Sequence, residues 1–113
     1  MKVQTQPQAN VTLVTPHGPL VAEDAVDFRR AVQEAVAAKA KRVVVDMADV
    51  PYLDSGGIEL LLELCSVKLA PHQRPKLAAL SVTCLEALEL TDVLPKLEVF
   101  DTVDNALRSC QRN

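Results

Sequence analysis

Val43-Val44-Val45 narrows the possible folds more than any other stretch of this chain. Three consecutive β-branched residues favour a strand, and an unbroken apolar run predicts one that is buried on both faces. Such a strand belongs in a parallel sheet covered by helices. Soon after it comes Asp54-Ser55-Gly56-Gly57, and beyond Gly57 the apolar spacing becomes helical: Ile58, Leu61, Leu62, Cys65 and Leu69, until Pro71 and Pro75. The chain therefore turns from strand to helix at Ser55. There, backbone N–H groups and the helix dipole favour negative charge.

The remaining segments fit the same scheme. Residues 3–15 alternate weakly through Val11, Leu13 and Val14, with Pro7-Gln8-Ala9-Asn10 as the turn of a hairpin. Pro16-His17-Gly18-Pro19 interrupts the pattern. A helix is expected from about Val21 to Lys39, with Phe28, Val32, Ala35 and Val36 on one face. Glu23, Asp24 and Asp27 lie near its start, and Lys39, Lys41 and Arg42 complement its C-terminal dipole. Leu77 to Leu80 reads as a short strand, and Thr83-Cys84-Leu85-Glu86 as a capping box for a helix carrying Leu85 and Leu88. Residues 97–100 form a further strand, and Asp101 or Thr102 caps a last helix with Val103, Ala106 and Leu107. The order β β α β α β α β α predicts right-handed crossovers and an α/β domain with a mainly parallel sheet. Functional loops of such sheets gather at the C-terminal ends of the strands, where Asp54 and Ser55 fall.

Composition sets outer limits. A chain of 113 residues holds one domain, residues 1–113, and its 49% apolar content supports a packed core rather than disorder. With 3% aromatics that core is aliphatic. The net charge of −3, without a basic patch, argues against a nucleic-acid partner. Neither a signal-type leader nor a membrane-length apolar run is seen, so a soluble cytoplasmic protein without membrane insertion is expected. Cys65, Cys84 and Cys110 are odd in number and widely spaced, which predicts reduced, buried thiols rather than disulfides or metal ligands.

The chemistry open to Asp54-Ser55-Gly56-Gly57 falls into three classes. The first is structural: a helix cap followed by glycines that permit a tight turn. The second is a nucleophilic serine. The hydrolase elbow needs a glycine where Leu53 stands, and only His17 and His72 could serve as base, each in a proline-containing loop, so no enzyme is expected. The third is a phosphoacceptor or docking serine. Three glycines make no phosphate-binding fingerprint, and Asp46, Asp49 and Asp54 lack calcium-loop spacing, so neither cofactor nor metal is expected. On the helix after Ser55 a second apolar stripe, Leu60, Leu64 and Val67, points away from the first. It is either covered by a neighbouring element or exposed as a partner-binding face or homodimer contact.

Over most of the chain, and most strongly from Val43 to Leu107, the residues resemble the STAS family (sulfate transporter and anti-sigma factor antagonist domains), in its stand-alone bacterial form. Val44-Val45-Asp46-Met47-Ala48-Asp49-Val50 is similar to the family strand ending in D-L-S-G-V, and Tyr52 to Ile58 to its F-I-D-S-S-G-L signature. Leu88-Glu89-Leu90-Thr91 is similar to L-E-L-T-G, and Val99-Phe100-Asp101-Thr102-Val103 to V-F-D-S-V. The resemblance implies a four- or five-stranded sheet with about four helices. It also implies a non-enzymatic switch in signal transduction and transcription regulation, binding an anti-sigma factor that is also a serine-protein kinase. That kinase would phosphorylate the signature serine, which matches Ser55, and a phosphatase would reverse this. Asp54, Ser55, Gly56, Gly57, Leu60 and Leu64 become the expected docking residues. The second signature serine is Gly56 here, and Val21 takes the place of a family Asp. The alternative implied role is a constitutive adaptor in a larger assembly, such as a lipid-transport ATPase complex.

Overall fold

The valine run divides between two cores. In the computed structural model, which describes residues 1–8, 10–38, 42–66 and 68–111, it forms β3 (Arg42–Asp46). Val43 and Val45 pack into one hydrophobic cluster and Val44 into a second on the opposite face. The described residues build a five-stranded sheet in the order β1 (Lys2–Gln8), β2 (Val11–His17), β3, β4 (Lys76–Ala78), β5 (Val99–Phe100). β1 runs antiparallel to β2, and all other pairs are parallel. The register sets Leu13 against Val44 and Val44 against Lys76.

Strand order follows chain order, so each crossover steps the same way across the sheet. A fixed crossover hand then puts all three crossover helices on one face. α1 (Val26–Ala37), α2 (Ser55–Leu64) and α3 (Val82–Leu90) bury Phe28, Leu61 and Leu88 in the larger cluster with Val14, Val45 and Leu77. α4 (Val103–Gln111) follows the last strand, is not a crossover, and closes the other face with Ala106 and Cys110 over Val11, Val44 and Ala78. At that face Lys76, 4% exposed, donates to Ser109 Oγ at 2.7 Å and lies 3.5 Å from Glu98 Oε2. Its ammonium sits 5.6 Å from the Phe100 ring centre. The thiols of Cys65, Cys84 and Cys110 are free and buried. Burial, with a smaller contribution from Glu98, pushes the Cys65 thiol up to about 12.

Element boundaries depart from the sequence pattern where local chemistry competes with it. Pro7 and Gln8 extend β1, opposite Thr12 and Val11, because an edge strand has no need of the Pro7 N–H; Ala9 lies outside the described residues. Pro16 and His17 likewise continue β2, beyond the stretch that pairs with β3. A 3-10 turn, Ala22–Asp24, precedes α1, which stops at Ala37. Lys39 and Lys41 lie outside the described residues, and Arg42 belongs to β3 rather than to a helix end. α2 ends at Leu64, leaving Leu69 beyond it, where Ser66 Oγ accepts from the Lys68 N–H in a local turn. Ala79 takes φ +60° and ends β4 before Leu80. The cap of α3 is Ser81, not Thr83: its hydroxyl accepts from the Cys84 N–H at 3.2 Å. β5 is confined to Val99 and Phe100. Thr102 caps α4, its hydroxyl accepting from the Asn105 N–H at 3.1 Å.

Both apolar stripes of α2 are inside. Leu60 and Leu64 are 3% and 8% exposed, which corrects the expected exposed face. α1 and α2 lie side by side on the same face of the sheet and touch each other, and both stripes enter the one cluster that the helices and strands share. Val67 lies outside the described residues.

Candidate docking site

The segment from Met47 to Asp54 carries the chain from β3 to α2 across the C-terminal edge of the parallel strands. Its backbone is bonded on both sides. The Met47 N–H donates to Ala78 O at 2.9 Å, on the β4 side. On the β2 side, Gly18 N–H donates to Asp49 O at 3.0 Å and Leu20 N–H to Tyr52 O at 3.1 Å. The Asp54 N–H returns to Leu20 O at 3.3 Å, completing a short parallel bridge between Leu20 and Leu53. Loop geometry is therefore dictated by neighbouring strands, and Asp54 arrives in extended conformation, as an N-cap requires.

Asp54 caps two helical segments at once. Its Oδ1 accepts from the Gly57 N–H at 2.8 Å, capping α2, and both carboxylate oxygens lie within 3.3 Å of the Ala22 N–H at the start of the 3-10 turn. The carboxylate is thereby committed to the backbone. Ser55 differs. It is the first residue of α2, it is exposed, and its hydroxyl makes no hydrogen bond among the described residues.

The two glycines are required by packing. A Cβ on Gly57 would lie 2.1 Å from Leu20 O, and one on Gly56 would lie 2.4 Å from the Ala22 Cβ. Gly57, Leu60 and Leu64 are buried, so none of the three offers the exposed contact expected of it. Of the docking residues expected from sequence, Asp54 and Ser55 are exposed and Gly56 is half-buried. Beside them the sequence reading missed Tyr52, 48% exposed, and Ala22, also exposed. A large aromatic inside a loop was the available signal for Tyr52; Ala22 carried none.

His17, considered as a general base, sits at the end of β2. Its Nδ1–H donates to Asp49 Oδ2 at 2.6 Å, and its Nε2 lies 2.8 Å from Gln4 Oε1. Both ring nitrogens are taken. His72 lies in the 3-10 turn Pro71–Gln73, past the opposite end of α2 from Ser55. Ser55 thus has no imidazole partner among the described residues and stands as a free surface hydroxyl at a helix start. Among those residues no helix is long and apolar enough to cross a membrane.

The family model described as STAS domain matches residues 2–106, in keeping with a resemblance that covers most of the chain. An anti-sigma factor antagonist from Mycobacterium paratuberculosis superposes with a TM-score of 0.82 at 21% identity, covering 96% of this chain and 92% of that one. The unphosphorylated anti-sigma factor antagonist SpoIIAA gives 0.75 at 16% identity, with 99% and 98% covered. The murine Solute Carrier 26 family member A9 anion transporter gives 0.75 at 22% identity, covering 96% of this chain and 19% of the transporter. At these identities the likeness establishes a shared fold. No curated protein matches the sequence.

Proposed function

The chain belongs to the STAS domain family, and on that premise we propose that it is an anti-sigma factor antagonist-like interaction switch. It binds an anti-sigma factor that is also a serine kinase, and phosphorylation at Ser55 ends the interaction until a phosphatase restores it. The 113 residues act as a single non-enzymatic domain in the cytoplasm.

The observation that carries this reading is the contrast between Asp54 and Ser55. The carboxylate is consumed by two backbone N–H groups, while the adjacent hydroxyl faces solvent without a partner. A kinase can reach such a hydroxyl without unfolding the domain. A phosphate adds about −1.5 to −2 charges at pH 7. The start of α2 tolerates it, since the dipole favours an anion there. In a complex the same phosphate is desolvated next to Asp54 and one turn before Glu59, and that cost opposes binding. Asp54, Ser55, Gly56 and Tyr52 form the contact surface, with Gly57, Leu60 and Leu64 beneath it.

The test is affinity capture from the source organism with wild-type and Ser55→Asp baits, read by mass spectrometry. A kinase-type anti-sigma factor held by wild type and lost by Ser55→Asp is expected. Equal capture of a transporter or scaffold subunit by both baits sinks the switch and leaves the constitutive adaptor.

A further inference from the structure

A groove of about 250 Å³ runs between α1 and α2 and opens beside the docking surface. Its floor is Ala22, Ala25, Gly56 and Leu60, and Arg29, Glu59 and Glu63 stand along its sides. It is narrow because Gly56 lets the 3-10 turn close on α2; any larger residue there would push Ala22 away. Its charges do not cancel. Arg29 pairs with Glu63 across the groove, leaving Glu59 as a lining carboxylate without an ion pair among the described residues. Glu59 is exposed, and Glu23 and Asp24 in the adjacent 3-10 turn are exposed too, so the potential at the groove is negative.

We propose that this groove seats one arginine side chain of the partner protein. The apolar floor matches the methylene stem, and Glu59 at the side accepts from the planar guanidinium. Charge complementarity selects arginine over an acidic or apolar occupant. The inference deepens the docking function proposed above and rests on it for the identity of the partner. Ser55 does not line the groove, although its neighbour Gly56 and Glu59 one turn further on do, so the arginine contact adjoins the phosphorylation site without using the Ser55 hydroxyl.

The experiment is a ¹H–¹⁵N NMR titration of the intact protein with acetyl-Gly-Arg-Gly-amide. The same peptide with citrulline, the neutral isostere of arginine, is the control. Saturable shifts of Ala22, Ala25, Gly56 and Glu59 are expected with arginine and not with citrulline. Glu59→Gln is expected to weaken binding about two- to fivefold, while Glu86→Gln, an exposed carboxylate on α3, leaves it unchanged. A Glu59→Gln bait should also retain less of the protein that wild type captures. Equal shifts with citrulline, equal weakening by Glu86→Gln, or no saturable shift at the groove each overturns the proposal. The titration involves neither Ser55 nor the partner, so a failed switch and a failed groove give different results.

Discussion

α2 and α3 begin in the same way and end up with different roles. Each follows a parallel strand, β3 or β4, and each is capped by a side chain that accepts from the third helical N–H: Asp54 from Gly57, Ser81 from Cys84. At α3 the serine is the cap, its hydroxyl accepting from the Cys84 N–H and lying 3.5 Å from Val50 O. At α2 an aspartate takes the capping duty, and the serine is displaced one position onto the surface. The third helical residue differs as well. Cys84 fills space in the core, its thiol 3.4 Å from Val50 O, whereas Gly57 leaves space that Leu20 O occupies. The comparison teaches that a serine at a strand–helix joint is not a switch by virtue of its place. It becomes available only when another residue satisfies the helix end.

The largest effect expected from this contrast is at Gly57. Gly57→Ala drives a methyl into the Leu20 carbonyl, and a loss of about 3 kcal/mol or more is expected in urea unfolding. A variant as stable as wild type would mean that the close approach of Leu20 does not shape the joint. Removing the caps comes next. Asp54→Ala should cost about 2 kcal/mol, because two N-termini lose an acceptor, and Ser81→Ala about 1 kcal/mol, because one does. Equal losses in thermal melts would erase the distinction between double and single cap. The smallest effect is at Ser55: Ser55→Ala should change stability by no more than about 0.5 kcal/mol. A larger loss would show that its hydroxyl supports the fold and is not free for modification.

Much of this architecture was legible because it depends on local pattern. The valine run announced a strand buried on both faces, and Val43, Val44 and Val45 divide between the two clusters accordingly. Alternating strand and helix signals yielded the element order, and the cap of the last helix was narrowed to Asp101 or Thr102, of which Thr102 does the capping. Boundaries were less legible. Thr83 satisfied the capping-box spacing, yet Ser81 does the capping, because the left-handed turn at Ala79 brings the chain to extended geometry two residues earlier. The candidate site was half readable. Asp54 and Ser55 stood out through their place at the joint, but Leu60 and Leu64 were assigned to a surface that α1 covers.

Sequence alone determined the class of fold, the strand–helix joint at Asp54-Ser55 and the presence of two apolar stripes on α2, since each arises from residues near one another in the chain. Tertiary structure decided which of those residues a partner can reach. The packing of α1 on α2, the passage of Leu20 over Gly57 and the approach of Ala22 to Gly56 join segments more than thirty positions apart. Periodicity describes one element at a time, and exposure depends on what other elements cover.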